Sequence, residues 1–316
     1  MSLIISGPHH TIHSKNAVEQ FALNLFDRLW DKYRQRVSYV SAYENLIENA
    51  GASFFNDHIA FRTFSWQNPL LGISTLSRLF QALGYRAAEC YHFEDKHLNA
   101  IYFQHCNPEF PKLFISELRT WELSTTSRKI IHSAVKTHHT NLPESFLVDL
   151  HHLESKSEST RASLLDEACD FIHDLPWHVV EKADLLELNK ESQYGAWVLV
   201  HGYNVNHFTA LINSQKVTTL NSIEKTSFAL ESVGVPMKKE IEGAPGSKLR
   251  QTATEAVIVD VSIREGGNIT SIPWTYAYFE LAQRDVFKDG ATGKLVRYEG
   301  FLGPQASNLF DMTKLL

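Results

Sequence analysis

The chain has 316 residues, a net charge of −6 and a pI near 6.2, which leaves no basic footprint for nucleic acid. With 43% hydrophobic and 21% charged residues it has a globular composition and enough length for a sizeable core. No apolar run reaches the roughly 18 to 20 residues that span a bilayer, so no membrane partner is expected.

The N-terminal MSLIISGPHHTIHSKN lacks the basic start of a signal peptide. Three cysteines without CxxC spacing predict reduced thiols and a cytoplasmic setting. Residues 15–50 then read as a helical segment, with Val18, Phe21, Leu25, Leu29 and Tyr33 recurring at helical spacing. NDHIAFRTF, from 56 to 64, alternates as a strand and puts His58, Ala60 and Arg62 on one face. LLGISTLSRLFQALGY follows as a helix closed by Gly84, and YRAAECYHF, LNAIYFQ and KLFISELR read as three strands. Residues 56–119 therefore predict a βαβββ module. The stretch 120–192 reads as a mostly helical, polar insert, a surface decoration or a lid. Over 193–285 the order recurs: strand-rich GAWVLVHGYNVNHFTALI, helical SIEKTSFALESVG, then strands in PMKKEIEG, LRQTATEAVIVDVSI and WTYAYFELAQR. A tail, 286–316, completes one catalytic domain. The predicted class is α+β, two βαβββ modules forming a curved mixed sheet that opens on its concave face.

Ligands for such a face would come from corresponding strands of the two modules. The first strands offer His58 and His207, the latter sharing its face with Thr209 and Leu211, and the last strand of the second module offers Glu280. Two histidines and a carboxylate on three strands suit a facial triad for non-haem Fe(II), and the same ligands suit zinc or manganese. Glu117, in FISELR, competes for the carboxylate role, and the residues alone do not decide between it and Glu280. Arg62 lies about 13 Å along the strand from His58 at ~3.3 Å per residue. A metal at one end and a guanidinium at the other would hold a short dianion. The competing partner for Arg62 is an acid such as Asp57. EGAPGSKLRQTA reads as a turn entering a strand that can present Arg250 or Gln251 to the cavity. PHHTIH falls in a terminus expected to be mobile, HHLE and KTHH place adjacent histidines on different faces, and HExxH, GxSxG, a Walker loop and GxGxxG are all lacking.

HIAFRTF (58–64), VNHFTALI (205–212), LRQTATEA (249–256) and YFELAQR (278–284), in this order and spacing, resemble the 2-oxoadipate dioxygenase/decarboxylase (hydroxyglutarate synthase) family. The resemblance runs from about residue 15 into the YEGFLGPQASNLFD tail. It implies a fold related to the vicinal oxygen chelate or glyoxalase superfamily, with Fe(II) held by His58, His207 and Glu280 and so not by Glu117. It also implies that Arg62 contacts the far carboxylate of a 2-oxo dicarboxylic acid; Thr209, Arg250 and Gln251 are further candidate substrate contacts from the strand readings above. The implied reaction takes 2-oxoadipate and O2 to 2-hydroxyglutarate and CO2, in a setting of lysine degradation. The alternatives are a glyoxalase-like isomerase or hydrolase with Zn(II), Ni(II) or Mn(II) at the same triad, and a binding protein that holds a small acid through Arg62.

Overall fold

The computed structural model describes residues 7–290 and 292–302. The start of the N-terminal stretch and most of the C-terminal tail motif lie outside the described residues. Helix α1 (Ala17–Arg36) starts at Asn16, whose side chain accepts the Glu19 amide, and α2 (Tyr39–Asn49) follows. α1 buries Phe21, Leu25, Phe26, Leu29, Trp30 and Tyr33, the stripe its spacing predicts. The described residues before it are tied down: His9 is buried, and its Nδ1 lies 2.8 Å from Asp27 Oδ1. This corrects the expectation of a mobile PHHTIH; burial of His9 against Phe26 and Phe208 supplies the anchor.

The first module runs β1 (Asn56–Ser65), α3 (Ile73–Ala82), β2 (Arg86–Phe93), β3 (Leu98–Gln104) and β4 (Lys112–Arg119). Helices α4 (Thr125–Val135), α5 (Glu144–His151), α6 (Glu158–His173) and α7 (Lys182–Glu191) fill the insert. The next segment, expected as strand, is helix α8 (Gln193–His201). Ser192 caps its start by accepting the Gly195 amide, and Gly202, at φ +60°, ends it. Tyr194, Ala196, Trp197, Val198 and Leu199 are all buried, and an apolar run of this length carries no helical stripe to reveal itself.

The second module holds β5 (Val205–Leu211), α9 (Ile223–Ser232), β6 (Leu249–Ala253), β7 (Ile258–Glu265), β8 (Asn268–Thr275) and β9 (Glu280–Arg284), and β10 (Val286–Lys288) pairs with β11 (Leu295–Arg297) after it. The main sheet is curled and seven-stranded, in the order β2-β3-β4-β1-β5-β9-β6. β1 runs parallel to β4 and β5 parallel to β9, while β1 and β5 meet antiparallel at the seam between the modules. The repeat is thus present, with two departures. PMKKEIEG makes only isolated bridges, Met237 with Thr254 and Glu242 with Gln251, where an outer strand was expected. The long strand predicted from 249 breaks after β6, and β7 leaves to pair with β8 in a separate hairpin.

β1 sits in the middle of this sheet and is buried along nearly its whole length. Its convex face gives Ile59 and Phe61 to the core, with Phe61 packed 5.2 Å from the Phe80 ring of α3. Phe208 does the same from β5, edge-on to Trp30 and Tyr33 of α1 at 5.0 and 5.1 Å. Because alternate residues face opposite ways, packing these apolar side chains behind the sheet commits His58, Ala60, Arg62, His207 and Thr209 to the concave side.

Candidate metal centre

Register brings the three candidate ligands together. His58 lies opposite Thr209 in the antiparallel pair, and Thr209 opposite Glu280 in the parallel pair. Directly opposed residues share a face, so His58, Thr209 and Glu280 form a row across β1, β5 and β9. His207 stands two residues before Thr209, opposite the small Ala60. His58 Nε2 is 3.3 Å from His207 Nε2 and 3.4 Å from Glu280 Oε1, and His207 Nε2 is 3.6 Å from Glu280 Oε2. The three ligand atoms lie within 4.8 Å of one another, and all three residues are buried.

Each candidate ligand is oriented from behind. His58 Nδ1 donates to Asp57 Oδ2 at 2.8 Å and His207 Nδ1 donates to Asn206 Oδ1 at 3.0 Å, which turns both Nε2 atoms inward. Gln251 Nε2 donates to Glu280 Oε1 at 2.5 Å. Glu280 Oε2 is buried and finds no hydrogen-bond donor among the described residues. The Thr209 hydroxyl is 3.0 Å from His58 Nε2.

Burial pushes the Glu280 carboxyl well above the carboxylate range. It pushes His207 well below the usual histidine value, assisted by the charges of His58 and Arg62, and it lowers His58 against the opposing pull of Asp57. Two neutral imidazoles and a carboxyl whose charge lacks a counter-ion are the donor set that a divalent cation completes. The orphaned Oε2 is the atom such a cation would satisfy, so these residues fit a metal.

The chamber beside the triad is lined by His58, Ala60, Arg62, Ser116, His207 and Tyr278, with Phe114, which shares the sheet face of Ala60, and Phe301. Arg62 is 2% exposed, and its guanidinium lies 5.0 Å from the Tyr194 ring and 5.1 Å from the Trp197 ring of α8. Asp57, the competing partner for Arg62, is taken instead by Arg284 in a two-pronged ion pair at 2.5 and 2.8 Å. Burial by itself would raise Asp57, but the charges of Arg284 and Lys112 hold it well below its ordinary value. Phe301, from the C-terminal segment, stands edge-on to His58 at 4.9 Å. None of the described chamber-lining residues comes from 120–192.

Other candidates fall elsewhere. Arg250 alternates with Gln251 on β6 and points away, pairing with Glu224 at 2.6 Å and with the Gly243 carbonyl at 3.2 Å. Only one of two neighbours on a strand can face the site, and it is Gln251. Glu117 faces the convex side, where its Oε2 accepts the Ile73 amide at 2.8 Å and its Oε1 accepts from Asn99 Nδ2 at 3.2 Å. Glu19, His105 and Cys106 also approach one another, but the Glu19 carboxylate accepts the Lys15 amide and His105 Nδ1 accepts the Asn107 amide. Sequence reasoning missed Arg284, Asn206, Tyr194, Trp197 and Phe301. The available signals were the polar Asn206 beside His207 and the buried-strand position of the arginine in ELAQR.

A sequence profile of the 2-oxoadipate dioxygenase/decarboxylase family matches residues 24–295. The chain is 30% identical over 277 residues to the chloroplastic/amyloplastic 2-oxoadipate dioxygenase/decarboxylase of Oryza sativa subsp. japonica, covering 81% of this chain and 68% of that one. It is similar in structure to the Oryza sativa hydroxyglutarate synthase in complex with 2-oxoadipate, with TM-score 0.75 and 26% identity over 95% of this chain and 94% of that one. A Ralstonia eutropha protein assigned to the glyoxalase superfamily shares the fold at TM-score 0.76 and 21% identity, over 90% of this chain and 85% of that one. With the profile spanning most of its length, the chain belongs to the 2-oxoadipate dioxygenase/decarboxylase family.

Proposed function

We propose that this chain is an Fe(II)-dependent dioxygenase/decarboxylase that converts 2-oxoadipate, or a close 2-oxo dicarboxylic acid, with O2 into 2-hydroxyglutarate and CO2. The observation that carries the reading is the buried His58–His207–Glu280 cluster with Arg62 further along the same face of β1. The Oryza sativa neighbour, solved with 2-oxoadipate, supports the substrate class. Iron(II) would supply the coordination sites that bring a 2-oxo acid and O2 together, with His58, His207 and Glu280 holding it on one side.

The remaining tasks fall to the chain's own side chains. Asp57 and Asn206 fix the two imidazoles with Nε2 inward, and Gln251 fixes one oxygen of Glu280. Arg62, buried above Tyr194 and Trp197, offers planar paired donors to the distal carboxylate and so sets which end of the acid meets the triad. Phe114, Tyr278 and Phe301 give the chamber apolar walls that exclude bulk water. The balance closes: one 2-oxo diacid and one O2 yield one CO2 and one hydroxy diacid shorter by a carbon. Splitting of the bond between the 2-oxo carbon and its carboxyl supplies two electrons for the reduction of oxygen. Hydroxylation of the neighbouring carbon supplies the other two.

The test is oxygen uptake by apoprotein reloaded anaerobically with Fe(II) and given 2-oxoadipate, with His207→Ala as control. Matched yields of CO2 and 2-hydroxyglutarate, lost in the variant, are expected. Iron binding without oxygen uptake would overturn the reaction and turn attention to Zn(II)- or Ni(II)-supported isomerase chemistry. A cytoplasmic setting belongs to the same proposal, on the strength of the unpaired Cys90, Cys106 and Cys169.

A further inference from the structure

Arg284 stands at the end of β9, four residues beyond the ligand Glu280, and its side chain is 0% exposed. Its Nε and Nη2 grip the two oxygens of Asp57, whose Oδ2 also accepts from Nδ1 of the ligand His58. The remaining Nη1 reaches the other way, donating to the backbone carbonyls of Tyr298 at 3.1 Å and Gly300 at 2.7 Å. Those carbonyls lie in the segment that delivers Phe301, just before it in the chain. The Phe301 ring is 5% exposed, stands over His58 and packs on Phe114 at 5.0 Å and Tyr102 at 5.3 Å, with the Arg284 guanidinium 5.2 Å from its centre. Tyr91 Oη accepts the Phe301 amide at 3.1 Å, and Lys112 Nζ pairs with Glu299 at 2.5 Å. One rigid guanidinium plane therefore serves a metal ligand and the segment that walls the chamber.

We propose that Arg284 is a positioning residue that couples occupancy of the His58–His207–Glu280 site to closure of residues 298–302 over it. The proposal deepens the function proposed above and rests only on the triad binding a divalent cation; neither the substrate nor oxygen enters it. A cation on His58 Nε2 polarises the ring, strengthens the Nδ1–H bond to Asp57 and so fixes the Asp57–Arg284 fork in one plane. With the fork fixed, Nη1 is held where the Tyr298 and Gly300 carbonyls meet it. Linkage makes the effect reciprocal: whatever the metal contributes to holding the segment, the segment contributes to holding the metal. Arg284 acts through Asp57 and through the backbone, without touching the metal. A lysine could satisfy Asp57 or the carbonyls, but its single ammonium lacks the fork that reaches both at once.

The readout is tryptic cleavage after Arg297, beside the segment, followed by mass spectrometry on the full chain with and without Zn(II) under nitrogen. In the unaltered protein, saturating Zn(II) is expected to slow this cut about fivefold or more. Arg284→Lys, which keeps the charge opposite Asp57, is expected to bind Zn(II) and lose the protection. The neutral pair Asp57→Asn/Arg284→Gln, which strands no buried charge, is expected to behave the same way. An arginine with a merely structural role would be rescued by lysine, so protection that persists in Arg284→Lys overturns the proposal. Zn(II) bound to the unaltered chain without protection overturns the coupling and leaves the metal reading standing. Zn(II) that fails to bind at all overturns both.

Discussion

At residue scale, the site follows from an alternation that a reader of the sequence can see. His58, Ala60 and Arg62 are one face of a strand because Ile59 and Phe61 are needed behind it. The same parity argument could not find the Asp57–His58 contact, since neighbours on a regular strand face opposite ways. The pairing of β1 with β5 shifts register between Asn56 and His58, and this irregularity lets Asp57 reach the ring beside it. Three outcomes follow. His207→Ala should abolish iron binding and turnover together, and wild-type iron content in this variant would remove His207 from the ligand set. Arg62→Ala should raise KM for dicarboxylic 2-oxo acids by roughly 100-fold or more, the scale of losing charge-assisted hydrogen bonds, with metal affinity unchanged; equal losses in both would sink its role. Because burial holds the Glu280 carboxyl well above its usual range, a metal bound at the proposed triad would have to displace a proton to gain this ligand. Affinity should therefore rise with pH until Glu280 is ionised in the apoprotein, and an indicator dye should register proton release on Zn(II) binding. No release would mean that Glu280 is already a carboxylate.

At element scale, the two glutamates that the sequence left in competition separate by face. Glu117 closes the N-terminus of α3 through the Ile73 amide, so Glu117→Ala should cost about 1 kcal/mol of stability and leave metal content intact. Loss of metal in that variant would contradict the assignment. The junction between α6 and α8 carries a pH dependence of its own. Burial lowers His173 to about 4 and His201 to about 3, so both are neutral in the fold, while the unfolded chain protonates them near 6.5. The unfolded state therefore binds more protons as pH falls below 6.5, and stability declines from there towards pH 4. At pH 5 the loss should be roughly 2 kcal/mol for each histidine, readable as a lower denaturant midpoint than at pH 7. A midpoint unchanged between these pH values would refute it. Helix α8 shows where element reading fails. Its apolar run holds no periodicity, and the capping residues Ser192 and Gly202 were the only local signs that it was not a strand.

At the scale of the whole molecule, the βαβββ repeat was legible because each module begins with a buried strand followed by an amphipathic helix. Less legible was the β7–β8 hairpin, whose residues alternate as well as those of any sheet strand. Which strand they pair with depends on neighbours far along the chain. The chamber-closing Phe301 was likewise hidden, since a lone aromatic in a tail carries no sign of its destination. The antiparallel seam of β1 with β5 has one more consequence. His58 comes from one module, His207 and Glu280 from the other, so a bound ion would act as a rivet through the joint. Its contribution would scale with the logarithm of free metal, and the melting temperature should climb steadily as Zn(II) is titrated and fall back on chelation. Heat resistance in this protein would then be set in part by the metal supply around it.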